Sequence, residues 1–275
     1  MLIENKTIYE IAYSYYKKQD YKTAIEFFEK VVNNKDSNED DIADSYVMLG
    51  ICNMFLAEEC TTNEIKYELK AIEYYKKVID YYPKNIDKAI LIDLAMAYGY
   101  IKDYDNAILI NKKVIEIDKE NADAYFYLAG LYNIQGDSNK ALPYALKAIE
   151  MFDKSWNYYF HLSLIYRNLS NFEESINALK KAIELKPDYF EAYCNIADAY
   201  NHLGKYDLAI EFATKAVDIN QKDTCSICTL AEAYEHKKEL NIAKRLFEKV
   251  LSIDSTFEDA VEGLKRINTK NEIFI

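Results

Sequence analysis

The sequence predicts an all-α chain built from repeated pairs of antiparallel helices. Segments recur at a spacing of 34 residues, so that residues 156–189 align without a gap on residues 190–223. Within each segment, apolar residues form two stripes with helical spacing, separated by a polar turn. With 6 glycines and 3 prolines among 275 residues, the chain also lacks the turn residues that dinucleotide-binding domains and β-sandwiches require.

In this register the chain divides into seven units, each with a helix A followed by a helix B. They are residues 5–38, 43–87, 88–121, 122–155, 156–189, 190–223 and 224–257. Residues 258–268 have an apolar and a basic side, so we expect a capping helix that covers the last unit. Residues 269–275 form a tail that ends in three apolar residues, Ile273-Phe274-Ile275.

The second unit contains a nine-residue insertion near residues 57–70. Thr61 and Glu64 have the spacing of a capping box, so we expect helix B of this unit to begin there and to run to about Tyr82. The insertion is then a lengthened hairpin. This hairpin either binds a partner or is a length change without a function that a surface turn tolerates.

Small and aromatic residues at fixed positions resemble the tetratricopeptide repeat. Position 8 holds Ala12, Gly50, Ala95, Ala129, Ser163, Ala197 and Ala231, and position 20 holds Ala24, Ala71, Ala107, Ala141, Ser175, Ala209 and Ala243. Position 11 is tyrosine in every unit except the second, which has Asn53, while the family's proline at position 32 remains only at Pro83 and Pro187. The resemblance covers residues 5–257. It implies a right-handed superhelical solenoid of helix-turn-helix hairpins with a concave groove that holds a peptide or a helix.

Helix A positions 2, 5, 6, 9 and 12 supply the candidate binding residues for such a groove. In the first half the candidates are apolar or aromatic: Tyr9, Tyr13, Tyr16, Val47, Met48, Ile51, Met54, Ile92, Met96, Phe126 and Tyr127. From the fifth unit onward they become polar and acidic, and the candidates are Phe160, Arg167, Asn195, Asp198, Asn201, Glu232 and Glu235. The expected partner is therefore a protein or peptide with an apolar segment and basic residues. Alternatively, the groove is filled by the chain's own tail or by a second copy.

Two specialised binding modes of this family are not expected. The lysine, asparagine and arginine set that clamps chaperone C-termini is not supplied by any three consecutive units. The asparagine ladder of sugar-transferring relatives is also missing, because Asn195 is the only asparagine at position 6 of the seven repeats.

Candidates for chemistry are few. His202 and His236 share one repeat position and either pair on a metal ion or face solvent. Cys225 and Cys228 form a C-x-x-C motif at the start of a helix, whose dipole would lower the pKa of the first thiol, and Cys194 occupies the position equivalent to Cys228. Alternatively, the cysteines are small packing residues. Nucleotide-binding, zinc-protease and serine-hydrolase motifs are missing, so we expect no catalytic site, metal or cofactor.

Charge and targeting signals narrow the class of partner. The formal net charge of -12 argues against nucleic acid, and no apolar run is long enough to span a membrane. The five scattered cysteines and the N-terminal sequence predict a cytoplasmic protein. The leading functional prediction is a non-enzymatic scaffold or adaptor that binds a partner's peptide or helix. The alternative is a sensor of a short signalling peptide that regulates a separate output protein, and a thiol- or metal-dependent enzyme is the third hypothesis.

Overall fold

The computed structural model describes residues 7–59, 65–81 and 87–272, of which 270–272 are described only as helix backbone. All regular structure in these ranges is α-helical, which confirms the predicted fold class. No helix in them combines the length and the apolar character needed to cross a membrane. The helices are α1 (Ile8–Lys17), α2 (Tyr21–Asn33), α3 (Glu39–Glu59), α4 (Lys66–Tyr81), α5 (Lys88–Tyr100), α6 (Tyr104–Ile117), α7 (Ala122–Ile134), α8 (Ser138–Met151), α9 (Trp156–Asn168), α10 (Phe172–Leu185), α11 (Phe190–His202), α12 (Tyr206–Ile219), α13 (Thr224–His236), α14 (Leu240–Ile253) and α15 (Glu258–Glu272).

The chain forms two compact units that are larger than the single repeats, and each is a row of packed helices from several repeats. The first unit extends to Gln135 and contains α1 to α7, and the second begins at Gly136 and contains α8 to α15. Within each unit every helix packs against the next one along the chain. Odd-numbered helices up to α13 correspond to helix A of the repeats, and even-numbered helices correspond to helix B.

Small residues at positions 8 and 20 permit this close packing. All of them are buried, from Ala12 and Ala24 in the first repeat to Ala231 and Ala243 in the last. Where serine replaces alanine, the Ser175 hydroxyl donates to the Ser163 carbonyl at 2.9 Å, so its polar group is satisfied inside the core. The sequence pattern therefore identified the helix contacts correctly.

The turn before helix B has a recurring backbone feature in every repeat except the second. The residue at repeat position 15 has a positive φ, between 60° and 83°, at Gln19, Lys102, Gly136, Ser170, Gly204 and Lys238. Only two of these residues are glycine, so the others accept a left-handed conformation that costs roughly 1–2 kcal/mol each. The scarcity of glycine thus does not mean a scarcity of left-handed turns.

The insertion in the second repeat lengthens helix A of that repeat. Helix α3 contains 21 residues and continues to Glu59, because no glycine or proline interrupts the helical pattern there. The predicted capping box of Thr61 and Glu64 lies outside the described residues, and helix α4 is described from Lys66 to Tyr81.

Helix α15 packs on the last repeat. Its Ala260 and Ile267 side chains are 0% and 1% exposed, and Gly263 lies directly against the Phe247 ring of α14. The helix continues to Glu272 and so includes residues predicted as the start of the tail. The reason is that residues 269–272 contain no helix breaker, and the Thr269 hydroxyl donates to the Lys265 carbonyl within the helix. Residues 273–275, with the apolar end of the tail, lie outside the described residues.

Candidate partner-binding grooves

Two adjoining apolar clefts lie on the first unit. One, between α5, α6 and α7, has a volume of about 290 Å³ and is lined mainly by Ile92, Met96, Tyr100, Tyr104, Tyr127, Leu131 and Ile134. The other, between α3, α4 and α5, has a volume of about 150 Å³ and is lined by Ile51, Met54, Phe55, Glu58, Tyr75, Asp93 and Met96. Met96 lines both clefts, so together they form one surface, which we call the N-terminal groove.

Five of the residues predicted from the sequence line this groove: Ile51, Met54, Ile92, Met96 and Tyr127. Ile51, Ile92 and Met96 occupy positions 5 and 9 of helix A, which are four residues apart and therefore form one stripe on the helix face. Met54, at position 12, and Tyr127, at position 6, lie beside this stripe.

The sequence analysis missed position 13, one helical turn beyond position 9. Phe55, Tyr100 and Ile134 occupy this position and line the groove with side chains that are 37%, 51% and 63% exposed. Position 13 is also the repeat position of His202 and His236, and it was expected to face solvent, as is usual for this position. The i, i+4, i+8 spacing of positions 5, 9 and 13 was the signal that could have found these residues.

Three other predicted residues lie outside the two clefts. Met48 is 9% exposed and packs in the core around Leu49, so it offers little surface to a ligand. Val47 is half-buried, and the half-buried Phe126 ring lies 5.5 Å from the Tyr127 ring.

The three predicted tyrosines of α1 form an aromatic row that reaches the groove. The rings of Tyr9, Tyr13 and Tyr16 follow one another with centroid distances of 6.2 and 5.8 Å. The row continues through Tyr21, whose ring stacks on Phe55 at 4.8 Å. Burial raises the pKa values of Tyr9 and Tyr16, so their hydroxyl groups remain protonated and can donate hydrogen bonds.

A carboxylate lies on the floor of the smaller cleft. Asp93 of α5 is half-buried there, and burial raises the pKa of its carboxyl group while hydrogen bonding from Tyr75 partly offsets the rise. Tyr75 itself is 1% exposed, and its ring lies against Gly50 of α3, where a Cβ atom would stand 2.4 Å from a ring carbon. Gly50 and Tyr75 thus hold the position of the Asp93 carboxylate.

The second unit has a more polar cleft with a volume of about 460 Å³, which we call the acidic cleft. Four predicted residues line it, namely Phe160, Arg167, Asn195 and Asp198, together with Phe190, Glu191, Cys194, Asp223, Cys225 and Thr229. An Arg167 guanidinium nitrogen is 3.9 Å from an Asp198 carboxylate oxygen and donates to the Asn195 side-chain oxygen at 3.4 Å. Three carboxylates against one guanidinium make this cleft negative.

The remaining predicted residues of the second unit take part in contacts within the chain. Glu235 is 7% exposed and accepts hydrogen bonds from Arg266 of α15, the shortest at 2.8 Å. The Asn201 amide donates to the Thr229 carbonyl at 3.3 Å and so joins α11 to α13. Glu232 lines the same pocket as Glu235 and Arg266, and burial raises its pKa to about 6 despite the nearby guanidinium.

The raised pKa of Glu232 predicts a pH-dependent effect on stability. Because the folded-state pKa lies above the ordinary value of 4.5, the ionised carboxylate costs stability above about pH 6, and this cost disappears as the pH falls towards 4.5. Glu232→Gln should therefore stabilise the second unit by about 1 kcal/mol at pH 7, allowing for screening by solvent. Thermal unfolding at pH 7 and pH 5 measures this. The matched change at the exposed Glu248, Glu248→Gln, should have no effect, and an equal gain at both pH values for Glu232→Gln would contradict the assignment.

Cys194, Cys225 and Cys228 do not have the properties of a reactive thiol site. The Cys194 sulfur lies 3.5 Å from the Thr229 hydroxyl, and Cys228 is 4% exposed within the core that includes α15. Burial raises the pKa of Cys194 to about 11. The pKa of Cys225 is also raised rather than lowered, because the effects of burial and of the Asp223 and Asp259 carboxylates exceed that of the hydrogen bond with Thr224. The predicted activation of this thiol is therefore wrong.

His202 and His236 each stack on an aromatic ring. His202 lies over Phe172 at 4.7 Å, and His236 lies over Tyr206 at 5.0 Å, both nearly parallel. The Tyr21 and Phe55 rings occupy the same two repeat positions, 17 and 13, so this stacked pair is a recurring contact between successive repeats. Within the described ranges, no group of three or more histidine, cysteine or carboxylate side chains could hold a metal ion.

Comparison with solved structures supports the same fold. MamA is 27% identical over 61% of this chain and 92% of its own, with a TM-score of 0.57. The C-terminal part of a TPR repeat-containing protein from Cytophaga hutchinsonii is 19% identical over 93% of this chain and 99% of its own, with a TM-score of 0.73. YrrB is 18% identical over 70% of this chain and 99% of its own, with a TM-score of 0.59. Among curated proteins, no significant match to the chain is found.

Family models identify the repeats directly. Models described as tetratricopeptide repeat match residues 6–38, 89–121, 111–142, 190–223 and 226–257, and a model described as TPR repeat matches residues 164–204. These matches together cover more than half of the sequence. The chain therefore belongs to the tetratricopeptide repeat family.

Proposed function

We propose that the chain is a non-enzymatic scaffold that binds a segment of a partner protein in the N-terminal groove. The observation that carries this proposal is the pair of adjoining apolar clefts, edged by the exposed side chains of Phe55, Tyr100 and Ile134. Continuous exposed apolar surface of this kind marks interaction sites in other proteins. Related folds add support, because YrrB is described as a TPR protein with an unusual peptide-binding site, and Cut9 forms a hetero-tetramer with Hcn1.

The size of the clefts favours side chains of a larger segment over a whole small molecule. Their volumes of about 290 and 150 Å³ lie at or below the lower end of the roughly 300–1,000 Å³ that encloses small-molecule ligands. The occupant that fits is a peptide or helix that inserts bulky apolar side chains.

Charge favours a basic partner. The acidic cleft of the second unit, considered by itself, would attract a segment with lysine or arginine, and the net charge of -12 favours such a segment over nucleic acid. We also propose a cytoplasmic location, because the free thiols of Cys52, Cys194, Cys225 and Cys228 would remain reduced there.

Selection from a random peptide library displayed on phage tests the proposal. The full chain should enrich peptides that share bulky apolar residues and that compete with one another for binding. If no sequence is enriched over the empty support, the groove is not a peptide site. If a short peptide binds and also reduces the radius of gyration in X-ray scattering, the signalling-peptide sensor becomes the better assignment.

A further inference from the structure

Resting on the proposed function, we propose that Asp93 and Glu58 make the smaller cleft of the N-terminal groove a recognition site for a lysine or arginine side chain. The bound segment would place this basic residue beside a bulky apolar residue that enters the larger cleft. The inference deepens the proposed function, because it assigns a specificity to a groove that is otherwise apolar.

Two carboxylates line the smaller cleft. Asp93 lies on the floor of the cleft and Glu58 lies at its exposed rim, while the remaining walls are formed by Ile51, Met54 and Met96 together with Phe55 and Tyr75. In the part of the chain that the structure describes, no ion pair with a lysine, arginine or histidine is formed by Asp93 or Glu58. The cleft thus has negative charge that the described chain does not neutralise.

The Asp93 carboxylate lies in mainly apolar surroundings. The apolar walls remove water from the carboxylate, so a cation brought next to it gains more than it would at an open surface. The buried Tyr75 hydroxyl interacts with the carboxylate. Because an ionised carboxylate has about four acceptor sites, this contact leaves others available to an ammonium or guanidinium group.

Met96 lines both clefts, so the site proposed for the basic residue adjoins the larger cleft. Neighbouring packed helices are about 8–10 Å apart, which corresponds to roughly three residues of an extended chain. The favoured extended ligand therefore carries its basic residue and its bulky apolar residue about three positions apart.

The test uses a peptide selected from the phage library with the full chain. Binding is measured by fluorescence anisotropy for this peptide and for a version in which norleucine replaces the basic residue. On the wild-type chain the replacement should weaken binding about tenfold or more. On Asp93→Asn, which keeps the shape of the side chain, the two peptides should differ less than about threefold. Glu116→Gln, at an exposed carboxylate of α6, is the matched control and should behave like the wild type.

A second selection checks the same inference with reversed charge. Asp93→Lys should select peptides with aspartate or glutamate where the wild type selects lysine or arginine. If Asp93→Asn or Asp93→Lys does not fold, as judged by circular dichroism, Glu58→Gln at the exposed rim replaces it. A reduced penalty for norleucine on Glu58→Gln supports the inference, and an unchanged penalty overturns it.

The two proposals fail in distinguishable ways. If selected peptides bind with no preference for a basic residue, the inference is overturned while the proposed function stands. If no peptide is selected by the wild-type chain, the proposed function fails, and the inference fails with it.

Discussion

Replacing Gly50 by alanine should destabilise the first unit, whereas the same replacement at Gly130 should stabilise it. At Gly50 the new Cβ would lie 2.4 Å from the Tyr75 ring, and this ring is 1% exposed and has no room to move. Overpacking of this kind costs about 1–3 kcal/mol net, even though alanine is the better helix former. At Gly130 of α7 no atom lies within 4 Å of the added Cβ, so the change should add about 0.5–1 kcal/mol of stability.

Urea unfolding followed by circular dichroism measures both variants. The transition midpoints should move in opposite directions from that of the wild type, with unchanged slopes. If Gly50→Ala raised the midpoint as Gly130→Ala does, Tyr75 would not be packed against α3. The proposed positioning of Asp93 would then lose its physical basis.

Replacing Met96 by aspartate should weaken binding of a selected peptide by on the order of 100-fold. Met96 lines both clefts of the groove, so one substitution introduces a charge into the apolar surface that both parts of the ligand contact. In the larger cleft the new carboxylate would be buried against the bulky apolar residue of the ligand, which costs several kcal/mol, and each 1.4 kcal/mol corresponds to a tenfold change in affinity. Titration calorimetry gives the affinity directly.

Two variants separate loss of binding from loss of folding. Leu109→Asp places the same charge on α6 at a side chain that is 52% exposed and lies in neither cleft, so it should bind like the wild type. Met96→Ala removes contact area without adding charge and should give an intermediate affinity. If Met96→Asp binds normally while remaining folded, the ligand does not use the groove.

The repeat architecture could be predicted from the sequence because its determinants are local and recur. Close helix contacts require small residues such as Ala95 and Ala107, and each copy of the repeat supplies them independently. The periodic signal therefore accumulates along the chain. The groove residues Ile51, Ile92 and Met96 followed from the same register, because positions 5 and 9 are four residues apart and share a helix face.

Features that depend on contacts between distant residues could not be predicted in this way. The sequence identified Glu235 as a groove carboxylate, but Arg266 pairs with it from a helix 31 residues further along. Met48 is apolar and lies next to groove positions, yet the aromatic packing of the first two repeats buries it. The importance of Asp93 depends on Tyr75, a residue of another helix, and no spacing rule relates the two.

Methionine methyl signals provide the most direct measurement of the central claim, which is that the N-terminal groove binds a partner segment. The chain has 5 methionines, of which Met54 and Met96 line the groove, Met48 lies in the core and Met151 ends α8 in the second unit. A selected peptide titrated into protein with carbon-13 methionine methyl groups should shift the Met54 and Met96 resonances and leave that of Met151 unchanged. Saturating binding that shifts Met151 alone, or that shifts neither Met54 nor Met96, would contradict the claim.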